Sequence, residues 1–161
     1  MVGNRKIVIC AVAAAVGLAA AFWLIPSDEK RVRKQFGRLA DLVGKKSSAE
    51  SLLVTAGKAR GITKLFAPRC RIAVRAEMLS GDYAPDDVTG MAGQARMHFS
   101  TLSLSFHDMR VDIRNDGRAK VTVTARLTGT VKSGEKVDES RELDAILEKT
   151  EKQWLFSQFT E

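Results

Sequence analysis

Apolar and polar positions divide this chain into three helices and a set of strands. Val32, Phe36, Leu39 and Val43 recur at spacings of four, three and four, which puts them on one helical stripe. Ser27 is placed to cap this helix, with Asp28 and Glu29 in its first turn, and Gly44 ends it. SSAE, Ser47 to Glu50, has the spacing of a capping box for a second helix with Ser47 as cap. Its stripe is Leu52, Ala56, Ala59, Ile62 and Phe66; Pro68 stops it, and CRIAV, Cys70 to Val74, reads as a short strand. YAPDD opens a third helix with Pro85 in the first turn and Val88, Met91, Ala95 and Phe99 on one side.

Beyond residue 100 the period becomes two. Ser103 to Arg114 reads as a strand in which Leu102, Leu104 and Phe106 alternate with polar residues. The rhythm then slips by one place to Met109, Val111 and Ile113. His107 and Asp108 stand at the slip, where an extra residue would form a β-bulge. NDG, Asn115 to Gly117, is a tight hairpin turn. Ala119, Val121, Val123, Ala125 and Leu127 alternate cleanly with polar neighbours, KSGEK turns the chain, and Val137 to Thr150 and QWLFSQF complete an antiparallel meander. An α+β domain follows, with helices on one face of a single curved sheet of four to five strands.

Ahead of the domain lies IVICAVAAAVGLAAAFWLI, Ile7 to Ile25, 19 residues without a charge. At 1.5 Å per residue it spans roughly 28 Å, about one hydrocarbon thickness. Arg5 and Lys6 precede it, Trp23 stands at its far end and Pro26 stops it. Two readings compete. A cleaved signal peptide would use Ala19-Ala20-Ala21, leaving an apolar new terminus, and the run is longer than a usual signal core. An uncleaved single-pass anchor over residues 1–26 is preferred, with the domain over 27–161. Cys10 lacks the lipobox context of a lipoprotein. The short basic n-region favours export, hence an inner (cytoplasmic) membrane protein with a periplasmic domain, although the basic residues after the run pull toward the opposite topology.

Charge refines this picture. Residues 27–75 hold 13 Lys and Arg against 4 Asp and Glu, whereas residues 76–161 hold 11 against 15. Lys30, Arg31, Arg33, Lys34 and Arg38 fall on the first helix, directly after the apolar run, where they are either a plain solvated face or a membrane-surface patch worth up to about 1 kcal/mol per charge on an anionic leaflet. Nucleic acid is not expected, because no aromatic platform is interleaved with the charges. Two cysteines, Cys10 and Cys70, are not expected to pair. With two histidines and no paired ligand spacing, no metal site is expected, and without a glycine-rich phosphate loop no cofactor.

The order of elements, KLFAPRCRIAV leading into a first strand, FSTLSLSFHDMRV and a final strand opening KQWLFSQF resemble the nuclear transport factor 2-like superfamily, which includes SnoaL-like cyclases and ketosteroid isomerases. The resemblance covers residues 28–161. It implies a bent sheet wrapped by helices into a cone with an apolar pocket, an enzymatic or a binding role, and dimerisation through the sheet. A domain preceded by one membrane helix is also similar to anchored envelope proteins of this fold, although here the domain follows the run more closely than in secretion-machine subunits.

Against that fold, no residue is assigned a catalytic role. His107 beside Asp108 could form a general base if a bulge brought them together, or could be a polar pair on a bend. His98 ends the third helix, and Tyr83 precedes it. Glu139 and Arg141 share parity with the apolar Val137, Leu143, Ala145 and Leu147, so they face inward near one end of a strand. There they line a pocket mouth where Arg141 holds an acidic head group, or they project past the core into water. The leading expectation is a membrane-anchored, non-catalytic binding or assembly module that takes a protein partner, a second copy or a small apolar ligand. The alternative is a SnoaL-like acid–base enzyme acting on a hydrophobic substrate.

Overall fold

The computed structural model describes residues 13–17, 27–75, 79–151 and 153–161. Of the apolar run Ile7–Ile25 only residues 13–17 are described, and they are helical; the rest of the expected anchor lies outside the described residues. Among the described residues no helix is long and apolar enough to cross a membrane.

The order is α1 (Asp28–Val43), α2 (Leu52–Thr63), β1 (Phe66–Val74), β2 (Leu79–Tyr83), α3 (Pro85–His98), β3 (Phe99–Ile113), β4 (Arg118–Val131), β5 (Lys136–Thr150) and β6 (Gln153–Thr160). All six strands join one sheet in the order β2-β1-β6-β5-β4-β3. Three expectations are corrected here. The sheet has six strands rather than four or five. It is mixed, because β1 runs parallel to β6 while every other pair is antiparallel. And the third helix follows two strands, β1 and β2, rather than the one expected. The β1–β6 pairing lays the first strand beside the last. Pro68, expected to end α2, sits inside β1. The β1–β6 register shifts between Phe66 and Arg71, the interval that holds this residue without an N–H.

Helix α1 begins as the sequence requires. The Ser27 side chain accepts from the Lys30 amide at 3.3 Å, and the Gly44 amide donates to the Ala40 carbonyl at 3.0 Å. Helix α2 does not begin at Ser47. Ser51 caps it, accepting from the Val54 amide at 3.3 Å. Glu50, the expected capping-box acid, is instead held by Lys58 and Arg96. The predicted stripe fails at its start for the same reason: Leu52 is 88% exposed, while Phe66 is buried in β1. A Cβ at Gly61 would lie 2.7 Å from a Leu42 methyl, so glycine is what allows α2 this close to α1.

The core lies between the helices and the concave face of the sheet. Val32, Phe36 and Leu39 of α1 meet Ala119, Val121 and Val123 of β4, Ala145 and Leu147 of β5, and Trp154 and Phe156 of β6. Phe36 stands edge-on to both Phe106 and Phe156, with centroids 5.1 and 5.0 Å away. Phe66 and Phe159 extend the cluster across β1 and β6. Each such fully buried large side chain contributes about 1.5–3 kcal/mol before entropy is counted. Strand β3 carries the expected bulge. His107 faces Thr124 and Arg110 faces Thr122, so two residues oppose one, and Asp108 adopts φ 52°. That extra residue keeps Phe106, Met109 and Val111 all packed against the core.

Candidate functional site

The register puts Glu139 and Arg141 on the same side of β5 as the core residues, but near the strand's end, where Glu139 is exposed and Arg141 half-buried. Arg141 pairs with Ala125 and Glu139 with Leu127, both on the concave side of β4. Beyond the aromatic core these positions line a cleft of about 170 Å³ together with Val74, Leu104 and Leu143. Its walls are aliphatic and its polar edge is one ion-pair cluster. The Arg141 guanidinium donates to Glu139 Oε2 at 3.2 Å and to Glu161 Oε1 at 3.0 Å. Both of those donors therefore serve the protein's own carboxylates. Among the described residues this edge sets two acids, Glu139 and Glu161, against one base, Arg141.

The other candidates do not converge. Tyr83 is half-buried against the core at the start of α3, and His98 is exposed at its end, about 20 Å along a helix of 14 residues. His107 and Asp108 are exposed at the bulge. His107 Nε2 lies 3.0 Å from Ser105 Oγ, and Asp108 does not partner it. The interior of the cone is occupied by Phe36, Phe66, Phe106, Phe156 and Phe159, and among the described residues no group of His, Cys, Asp or Glu is arranged to hold a metal.

The five basic residues of α1 divide. Arg33 turns toward β3: its Nε donates to Glu29 at 3.0 Å and its Nη2 to the Met109 carbonyl at 3.0 Å. Lys30, Arg31, Lys34 and Arg38 turn the other way and line a cavity of about 340 Å³ with Gln35, Gln153 and Trp154. Beside it Asp28 accepts from Lys149 Nζ at 3.0 Å and from the Trp154 indole at 3.3 Å. The Lys149 bond above all holds the Asp28 carboxyl below its ordinary range.

Sequence reasoning missed a polar network behind the helices. Arg96 is 6% exposed and donates to the Val43 carbonyl at 2.9 Å, to the Leu42 and Gly44 carbonyls, and to Glu50. Lys45 donates to the Arg96 and Phe99 carbonyls at 2.9 Å each. Each cation thus satisfies the open carbonyls at the end of the other's helix. Burial lowers the proton affinity of both side chains, and Lys132 adds to the effect at Lys45. The sequence signal was Arg96 itself, beside Ala95 of the apolar stripe.

Curved sheet, helical layer on its concave face and a cleft toward one end define an α+β cone of nuclear transport factor 2-like fold. Solved structures bear this out. The chain is similar to a candidate aromatic ring hydroxylase from Novosphingobium aromaticivorans (14% identity, 83% of this chain and 86% of that one, TM-score 0.68). It is similar to Kfla4162 from Kribbella flavida (18% identity, 83% and 88%, TM-score 0.66). It is also similar to a candidate dehydratase of the NTF2-like family from Streptomyces avermitilis (12% identity, 83% and 94%, TM-score 0.62). No family model and no curated protein matches the chain.

Proposed function

We propose that this chain is a membrane-tethered binding module of the cell envelope. The uncharged run Ile7–Ile25 supports the tether, and the export-like n-region supports a periplasmic domain at the inner membrane. The basic side of α1 begins at Lys30, five residues beyond Ile25, and would rest on anionic head groups. The observation that carries a binding role is the character of the cone: its interior is packed with aromatic rings, and its remaining cleft is aliphatic with an acidic edge. Such a cleft fits one side-chain-sized apolar group that carries a positive or hydrogen-bond-donating end. A small amine, or an apolar residue beside a Lys or Arg of a partner protein, has that chemistry. A second copy joined through the convex sheet face remains compatible. There Thr122 donates to Asp144 at 2.6 Å, and Lys120–Asp144 and Arg126–Asp138 pair across strands.

The test is a methyl NMR titration of the full chain in detergent with benzylamine and benzoate. Benzylamine is expected to shift the Leu104, Leu127 and Leu143 methyls saturably, and benzoate is not. Equal or stronger shifts with benzoate would remove the reading.

An acid–base enzyme is the second reading, favoured by neighbours described as a candidate dehydratase and a candidate hydroxylase. Its chemistry would sit at this cleft, with Glu139 as the proton acceptor rather than His98, His107, Asp108 or Tyr83. It requires that Glu139→Gln abolish turnover of a hydrophobic substrate without unfolding the chain.

A further inference from the structure

The cavity lined by Lys30, Arg31, Lys34 and Arg38 has a neighbour. A second cavity of about 390 Å³ is lined by Arg38, Asp41, Leu42, Gly61, Lys64, Leu65 and Gln153. Arg38 and Gln153 belong to both, so the two form one groove between α1, the end of α2 and the start of β6. The two ends differ in chemistry. One carries four cations; the other places Leu42 and Leu65 behind a rim of Arg38, Lys64 and Asp41. Among the described lining residues five bases stand against one acid, Asp41, with Asp28 just outside, paired to Lys149. Among the described residues none of Lys30, Arg31, Lys34, Arg38 or Lys64 forms an ion pair within 4.0 Å. Unlike Arg33, none of these side chains donates a hydrogen bond to another described residue, although Asp28 beside the groove attracts Arg31 at longer range. Gln35, at 4% exposure, also lines the basic end. Its Nε2 donates to the Trp154 carbonyl, and its Oε1 is the one buried side-chain acceptor without a partner among the described residues.

We infer that this groove binds one acidic phospholipid, with its phosphate among Lys30, Arg31, Lys34 and Arg38 and the first part of an acyl chain against Leu42 and Leu65. Charge complementarity selects the head group, and the shared walls of the two cavities supply the direction of the chain. A hydroxyl-bearing head group would also bring a donor to the end where Gln35 lacks one. The groove lies outside the cone and is separate from the Glu139–Arg141 cleft. The inference rests on the proposed membrane tether, since only a chain held at the bilayer meets such a lipid at high local concentration.

The full chain with Trp23→Phe leaves Trp154, which lines the groove, as the single tryptophan of the two in the sequence. In zwitterionic detergent it is titrated with dioctanoyl phosphatidylglycerol, dioctanoyl phosphatidylcholine and glycerol 3-phosphate, reading Trp154 emission and adduct mass. Phosphatidylglycerol is expected to give a saturable shift and a one-to-one adduct. The other two are expected to bind at least about tenfold more weakly, the factor that each 1.4 kcal/mol of lost contact imposes. Lys34→Gln with Arg38→Gln should weaken phosphatidylglycerol about tenfold or more, whereas Arg33→Gln, the same charge lost on the other side of α1, should leave it unchanged. Equal binding of phosphatidylcholine, glycerol phosphate as tight as the lipid, equal loss with Arg33→Gln, or no saturable change would overturn the site; the last includes occupation by the chain's own N-terminal run. Alkaline carbonate extraction of cell membranes reads the tether separately: release of the chain removes the tether while the titration still reports on the groove.

Discussion

Arg96 reaches from α3 to three carbonyls at the end of α1 and to Glu50, all behind the helical layer. Removing it leaves the Leu42 and Val43 carbonyls short of a donor, while Gly44 keeps Lys58, and strips Glu50, whose side chain is 12% exposed, of one of its two cations. Arg96→Met is therefore expected to cost about 3–5 kcal/mol, and Arg96→Lys less, in urea unfolding followed by circular dichroism. An unchanged midpoint for Arg96→Met would refute this account of the helix ends. Cys70 gives a pH signature. Burial above all, with a smaller effect of Asp82, raises its thiol from 9.0 to about 12. The fold favours the neutral thiol, so this contribution is complete below pH 9 and is lost as pH rises toward 12. Stability is expected to fall over that window, and in a Cys10→Ser chain Cys70 should resist thiol reagents at pH 8 until urea unfolds it. Rapid labelling of the native chain would contradict its complete burial.

At the scale of elements, the bulge in β3 ties one residue to the packing of a whole strand. Asp108 holds φ 52°, a region that aspartate tolerates and a β-branched residue resists. Asp108→Val is expected to cost about 1–2 kcal/mol and Asp108→Gly to be neutral or slightly stabilising, read from denaturant midpoints. The reverse order would mean that Asp108 contributes through its side chain. The bulge was legible because both halves of a slipped period-two pattern can face one core only if a residue is inserted between them. Helices α1 and α3 and the long strands were legible from their spacing. The cap of α2 was not. SSAE matches a capping box locally, but Glu50 is drawn into a buried ion pair with Arg96, 46 residues away, which no local pattern encodes. Strand β2 was missed because LSGDY, half-exposed at the sheet edge, is five residues long with only Leu79 and Tyr83 apolar, too little for its inside–outside alternation to show in the sequence. The inward face of Glu139 and Arg141 could be read from parity, yet Glu161, which claims part of the same guanidinium, comes from β6's end and could not.

For the whole molecule, the two surfaces divide the work. On the proposed reading the basic groove on α1 would rest on the membrane, and the cleft edged by Glu139 and Arg141, elsewhere on the concave side, would take the ligand. The aromatic filling of the cone keeps the cleft small, about 170 Å³, and selects for a side-chain-sized group. The most direct measurement is the benzylamine titration repeated on Leu127→Trp, which fills the cleft from the position opposite Glu139 while leaving Glu139, Arg141 and the groove residues unsubstituted. The account predicts saturable shifts at Leu104 and Leu143 in the parent chain and their loss in Leu127→Trp, with the fold retained by circular dichroism. Unaltered benzylamine binding in the filled variant, or preference for benzoate in the parent, would contradict it.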